Sequence, residues 1–334
     1  MKRSWKNNRI VTLYCVAAVG VLSVFLAGLF LGSTRLSWGE LWNAFFGADE
    51  TSAAVRILWY VRLPRTLAAL LCGAALSVSG AVLQIVLANR LASPSIIGVN
   101  AGAGLAVTVC SAFGILGGFL LSLYSFLGAL AAVLAVSFGA KKWGASGGTV
   151  ILMGVALNAL LGAASDSLIT FFPEVGVMSN AFRVGDFSSV SYRVLAPAAF
   201  AVLGALALLF TLIGALDVLS LGEDSARGLG MRTGLFRFLF LVLSAVLAGA
   251  AVSLAGLLSF VGLLVPHAVR RLGAWQTKHL LPLCALFGAG FVALCDLLSR
   301  VIFAPYEIPV GILMAFLGAP FFLIILVRGR RNDA

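Results

Sequence analysis

Charge is what this sequence has least of. Only 10% of its 334 residues are Asp, Glu, Lys or Arg, where a soluble domain carries about 25%. Hydrophobic residues make up 61%, so the chain cannot cover itself with a surface of ordinary polarity. Carboxylates are scarcer still, 12 against 23 Lys and Arg, and there are two histidines. His267 and His279 are too far apart in sequence to make a local metal pair, and no HExxH, GxSxG or carboxylate cluster is present. The stretch GASGGTV at 144–150 lacks the lysine of an ATP-binding phosphate loop. The five cysteines (Cys15, Cys72, Cys110, Cys284, Cys295) lie in apolar runs without CxxC spacing. They read as small buried apolar side chains, not as a disulfide framework or zinc site. The expectation is a chain with no catalytic residue and no resident metal or cofactor, and not an enzyme.

What is there is apolar length. A membrane-spanning helix needs about 20 mostly apolar residues. Such runs occur near 10–32, 63–87, 96–115, 118–139, 149–170, 193–215, 236–253, 256–269, 280–299 and 308–327. The run at 256–269 is short for a full crossing. The fold class expected is therefore an all-α polytopic membrane protein of about ten transmembrane helices. The opening MKRSWKNNR resembles a signal peptide, but the apolar stretch behind it continues to Leu31 without a small-residue cleavage site. A retained first helix is expected.

The formal net charge of +11 is topological, and nucleic acid is not an expected partner. With alternating spans and a cytoplasmic N-terminus, 16 of the 23 Lys and Arg fall on the inside. This bias puts both termini in the cytoplasm and the chain in the cytoplasmic membrane.

GAALSVSG at 73–80 and GAAVSLAG at 249–256 nearly repeat one another. They fall in the second and seventh runs, which cross in opposite directions, as an inverted-topology repeat requires. The halves would be about 1–175 and 176–334 of one transmembrane domain covering residues 1–334. A chance match between Gly/Ala-rich helices is the alternative, since small residues also serve close helix packing in lipid.

Charges at membrane depth are costly, at about 2.5–3.5 kcal/mol each on insertion scales, and two acids qualify. Asp296 stands four residues before Arg300 and can pair with it along a helix. Asp166 lies about one turn from the outer end of the fifth span, solvated there or lining a path. An ion-gradient-driven carrier using Asp166 is one reading of the chain. The segment LSLGEDSARGLGM, residues 219–231, gathers Glu223, Asp224 and Arg227 between apolar runs, with glycines placed for turns.

Five stretches together resemble one family: WYVRLPRTLAALLCGAALSVSGAVLQ (59–84), NRLASPSIIGVNAGA (89–103), LSLGEDSARGLGM (219–231), GLLSFVGLLVPHAVR (256–270) and EIPVGILMAFLGAPFF (307–322). The family is the FecCD (BtuC-like) permease subunit of ABC importers for iron–siderophore complexes, haem and cobalamin. The resemblance implies a ten-helix homodimer with the path on its axis, two cytoplasmic ATPase subunits below, and an extracytoplasmic binding protein above. It implies that Leu221, Gly222, Glu223, Asp224, Ala226, Arg227, Leu229 and Gly230 form the ATPase-coupling segment, two short helices. It also implies docking of the binding protein at Arg62, Arg65 and Arg300, whose planar forks suit carboxylates. Arginines snorkelling to head groups are the alternative. Asn158, Ser165, Asp166 and a site near Gly311, on the fifth and tenth helices, are candidates for the path; an interhelical hydrogen bond is the alternative for Asn158.

The chain departs from the family at two places. Asn89, Arg90, Leu91, Ala92 replace the usual Asn-Pro-Leu-Ala, leaving Arg90 free to meet the ATPase or lipid phosphates. Phe182, Arg183, Val184, Gly185, Asp186 stand where the usual Trp-x-x-Gly is, and Arg183 and Asp186 bring charge to the outer mouth, where anionic chelates would pass. The wording LASPSIIGVNAGAG is nearest the iron–siderophore members, with cobalamin or haem as alternative cargo.

Overall fold

The structure is a computed structural model describing residues 2–34, 36–47, 52–142 and 146–330. Arg35, Arg331 and the start of the GASGGTV stretch lie outside the described residues. Ten principal helices follow in order: α1 (Lys2–Phe30), α2 (Leu63–Val86), α3 (Val99–Ala112), α4 (Gly118–Lys142), α5 (Gly147–Phe171), α6 (Tyr192–Thr211), α7 (Thr233–Ala255), α8 (Val261–Arg271), α9 (Thr277–Val301) and α10 (Val310–Arg330). Among the described residues, seven helices are long and apolar enough to cross a membrane; α3, α8 and α10 are shorter within the limits searched. The ten apolar runs thus become ten helices. The run at 256–269 becomes helix only from Val261, because the chain breaks at Gly256 (φ 71°) and restarts after Phe260 (φ 68°).

Short helices lie between α1 and α2. Ser37 and Glu40 form a reciprocal capping box that starts the short helix Trp38–Phe46. A second short helix, Ala53–Arg56, runs through a π-helical segment, Ile57–Arg62, directly into α2.

The core is built on α2, α7 and α9. In the windows that include α2 and α7, 78% and 72% of residues are buried, against 6% for α1 and 11% for α5. The eight-residue repeat shows why. A Cβ at Gly73 would lie 2.1 Å from the Gly288 carbonyl on α9, and one at Gly80 would lie 1.9 Å from the Gly262 carbonyl on α8. Only a residue without a side chain admits backbones this close, the contact that drives helix association in lipid. Between them, the Ser77 hydroxyl donates to the Cys284 carbonyl (2.6 Å) and the Ser79 hydroxyl to the Ser244 carbonyl (2.8 Å).

The packing has an internal symmetry. If α1–α5 are matched in order with α6–α10, each major contact has a partner. The packing of α2 on α9 answers to α7 on α4, α2 on α8 to α7 on α3, and α8 on α9 to α3 on α4. The packing of α1 on α9 and α2 answers to α6 on α4 and α7, and α5 on α3 to α10 on α8. Even the local breaks correspond: α3 and α8 each begin after a residue of positive φ, Gly98 and Phe260. A pattern of this kind is what an inverted-topology repeat requires.

Candidate functional site

Two clusters of polar residues occupy opposite ends of the bundle. The first is built from the sequence expected to couple to an ATPase. After α6, a short helix Ile213–Ser220 turns through Gly222 (φ 97°) into a second short helix, Glu223–Gly228, which ends through Gly230 (φ 80°) before α7. Both turns need the left-handed backbone that glycine adopts at no steric cost. Ala226 is fully buried under this element and anchors it. The Arg227 and Arg237 guanidiniums each donate to Glu223, at 2.6 Å to its two oxygens. The hydrogen bond from Arg237 holds the Glu223 carboxyl below the ordinary carboxylate range, outweighing the upward push of burial, so Glu223 is ionised near neutral pH. Glu223 therefore faces inward, clamping the second short helix onto α7. Leu221 (61% exposed), Asp224 and Leu229 (67% exposed) are turned outward. The segment is a rigid platform with two leucines and a carboxylate on its free face.

The second cluster lies where α2 begins and α9 ends. Arg65 donates to Asp296 on α9 (2.9 Å) and to Glu307 before α10 (2.6 Å), and stands 3.6 Å from Asp186. Arg300 pairs with the other oxygen of Asp296 (2.9 Å) and reaches the Gly28 carbonyl of α1 (3.3 Å). Ser33 donates to Glu307 (2.7 Å). Arg62 donates to the carbonyls of Leu29, Phe30 and Thr34, at 2.6–2.9 Å. It thereby caps the end of α1, where unpaired carbonyls attract a cation. Asp296 is 0% exposed and the three arginines are each 3% exposed. Arg62, Arg65 and Arg300, the arginines for which the resemblance implies docking, are all buried in internal bonds. Of their partners, Asp186 was expected only as a charge at the outer mouth, and Glu307 carried no assigned role although it opens the EIPVG stretch. No sequence signal joins Arg65 to Asp296, which lies 231 positions away.

The candidate path residues separate. Asn158 donates to the carbonyls of Ser95 and Ile96 (2.9 and 3.1 Å), fastening α5 to the segment before α3. Ser165 is buried and its hydroxyl donates back to Leu161 (3.0 Å). Gly311 is a packing position: a Cβ there would lie 1.7 Å from the Val184 carbonyl, and its own N–H donates to Gly185 (3.2 Å). Asp166 is exposed and pairs with Arg183 at 2.8 Å. Asp166 and Gly311 both meet the segment 183–185, while Asn158 and Ser165 make their bonds elsewhere. Large apolar side chains face outward on both helices: Leu152, Val155 and Leu160 on α5, Phe316, Leu317 and Phe321 on α10.

Known proteins share this architecture and this sequence. A permease protein of the achromobactin transport system, CbrC of Dickeya dadantii, is 35% identical over 337 residues, covering 98% of this chain and 96% of its own. The hemin transport system permease HmuU of Yersinia pestis is 36% identical over 337 residues, covering 98% of this chain and 99% of its own. A solved structure described as an inward-facing ABC transporter of metal-chelate type superposes with a TM-score of 0.83 at 28% identity, over 95% of this chain and 99% of that one. The sequence profile of one family matches residues 20–328, and on that match the chain belongs to the FecCD transport family.

Proposed function

We propose that the chain is the membrane permease subunit of an ABC importer and that its cargo is an iron–siderophore chelate. The observation that carries the reading is the platform at residues 213–230. Its inner side is clamped by Ala226 and the Glu223–Arg237 pair, and its outer side offers Leu221, Asp224 and Leu229 to a soluble partner. A stiff element of this kind can pass the closure of an ATPase pair to the helices, and this chain has no phosphate loop to bind ATP itself. Energy then comes from two separate ATPase subunits on the cytoplasmic side, where both termini lie. Two copies of the chain enclose the path, with the outward faces of α5 and α10 toward the axis. Alternating access moves the cargo.

At the other end, an extracytoplasmic binding protein delivers the chelate. Because Arg65 is already neutralised, carboxylates of that protein reach it by displacing Glu307 and Asp186, whose side chains are 31% and 32% exposed. Docking on this reading is an exchange of carboxylates, coupled to loosening of the outer cluster. Arg62 and Arg300, bound to carbonyls and to Asp296, act as its fixed frame.

The cargo rests on the wording LASPSIIGVNAGAG; similarity to a siderophore and a hemin permease at 35% and 36% does not separate them. The test is uptake of radio-iron on several siderophores in the native cells with and without the gene, with haem and cobalamin as competitors. Loss of one siderophore class, unaffected by competitors, is expected. Loss of haem or cobalamin uptake in its place overturns the cargo and keeps the importer. Gly230→Val should abolish transport while Asp166→Asn leaves it intact; the reverse result would establish an ion-driven carrier.

A further inference from the structure

A group of like charges gathers at the end of the bundle that holds the N-terminus, the end that also carries residues 213–230. The strongest charges acting on His267 are those of Arg270, Arg271 and Arg90, in that order. The Arg90 guanidinium lies over the Trp275 ring, 6.0 Å from its centroid. Arg9 of α1 rests against Gly273, where an added Cβ would stand 3.7 Å from the guanidinium carbon. Three segments thus bring four cations to one turn, residues 272–276 between α8 and α9. Among the described residues, none of Arg9, Arg90, Arg270 and Arg271 forms an ion pair with a carboxylate.

Arg270 and Arg271 end α8, where the helix dipole favours cations. That does not account for Arg90 and Arg9 arriving at the same turn. Arg270 is moreover held in place, donating to Gln84, whose own amide donates to the Gly262 carbonyl at 3.2 Å. Gathered guanidiniums without a carboxylate counter-charge, one of them held in place, make a site for an anion, and guanidinium suits phosphate by its fork geometry.

The neighbourhood shows which anion. Trp275 is 61% exposed, Leu91 48% and Leu272 37%. These apolar groups stand at the same level as the arginines, beside α1, whose span is only 6% buried. An amphipathic ring next to basic side chains at the end of a lipid-facing helix is the composition of the membrane interface. Basic pockets between spanning helices on the cytoplasmic side hold anionic head groups.

We propose that Arg90 and Arg271, backed by Arg270 and Arg9, bind the phosphodiester head group of an anionic phospholipid, with Trp275 and Leu272 against its glycerol and upper acyl chain. The site is separate from the transport reading, and either can fail without the other. The test is native mass spectrometry of the purified full-length chain, titrated with phosphatidylglycerol or phosphatidylcholine. The wild type should retain phosphatidylglycerol at least tenfold more readily. Arg90→Gln/Arg271→Gln should lose that preference; both residues are exposed, so the fold should be kept. Lys141→Gln/Lys142→Gln, at the same end of the bundle, should keep the preference. Equal retention of the two lipids by the wild type overturns the proposal. So does an equal loss in the lysine control, which would mark a diffuse charge effect. Displacement of the lipid by inorganic phosphate would reassign the site to a soluble anion. A double variant that keeps its lipid but loses ATPase binding would make the patch a protein contact.

Discussion

Asp296 is the residue on which the outer cluster turns, because each of its two oxygens holds a different arginine at 2.9 Å and no part of it reaches the surface. Removing one partner from a buried ion pair leaves an uncompensated charge, and the cost is about 3–5 kcal/mol. Asp296→Asn should therefore lower the melting temperature of the purified chain strongly, whereas Asp166→Asn, which breaks an exposed pair, should change stability by at most about 1 kcal/mol. Thermal melts of the three proteins in one detergent check this; equal melting points would mean that Arg65 and Arg300 find other acceptors. The Asp296–Arg300 pair was legible in the sequence because it obeys the i, i+4 spacing of a helix. Arg65 was not legible in the same way: its partners come from α9 and from the segments around Asp186 and Glu307, and no local rule links positions so far apart. For that reason the internal bonds of these arginines were not legible beyond the Asp296–Arg300 pair.

Helices were the most legible elements, since the bilayer demands a length of apolar chain that composition alone reveals. What composition does not reveal is where a backbone must come close to another. Gly80 shows the point: it looks like one more small residue in a Gly/Ala-rich helix, yet its α-carbon lies almost in van der Waals contact with Gly262 of α8. A methyl group there would meet a carbonyl at 1.9 Å, and backbone cannot swing aside as a side-chain end can. Gly80→Ala should force α2 and α8 apart at a cost of roughly 1–3 kcal/mol or more. Gly20→Ala on α1, where nothing lies within 4 Å, should be neutral or slightly stabilising by helix propensity. Melting temperature and folded yield of the two variants decide. A Gly80→Ala protein as stable as the wild type would show that the α2–α8 contact yields easily. At 213–230 the sequence itself showed only glycine turns around two acids and an arginine; the two short helices were expected from the family resemblance. The orientation of that segment was not legible, because only the position of Arg237 on α7 makes Glu223 face inward.

At the scale of the whole molecule, α5 and α10 are, like α1, largely uncovered on one chain. The α5 window is 11% buried, and Leu152 and Leu160 are 70% and 66% exposed; α10 adds Phe316 at 74%. In a bilayer this could be lipid contact, as for α1, which is 6% buried. The two peripheries differ in place: α1 packs on α2 and α9, while α5 packs on α3 and α4, so they flank opposite sides of the core. If the proposed homodimer closes around a path lined by α5 and α10, the α5 side must meet a second copy and the α6 face must not. Cysteines placed at Leu160 on α5 and at Phe200 on α6 (81% exposed), in a background lacking the exposed Cys15, test the arrangement with a flexible bis-maleimide in membranes. Leu160→Cys should give a cross-linked dimer and Phe200→Cys only labelled monomer. Cross-linking at Phe200 alone would move the interface to the α6 side and take the path away from α5 and α10. Cross-linking at both sites in proportion to expression would mean random collision. Dimer at Leu160 that persists when the protein is diluted into excess lipid would instead establish that the apolar face of α5 is covered by protein, and that the path is a property of two chains together.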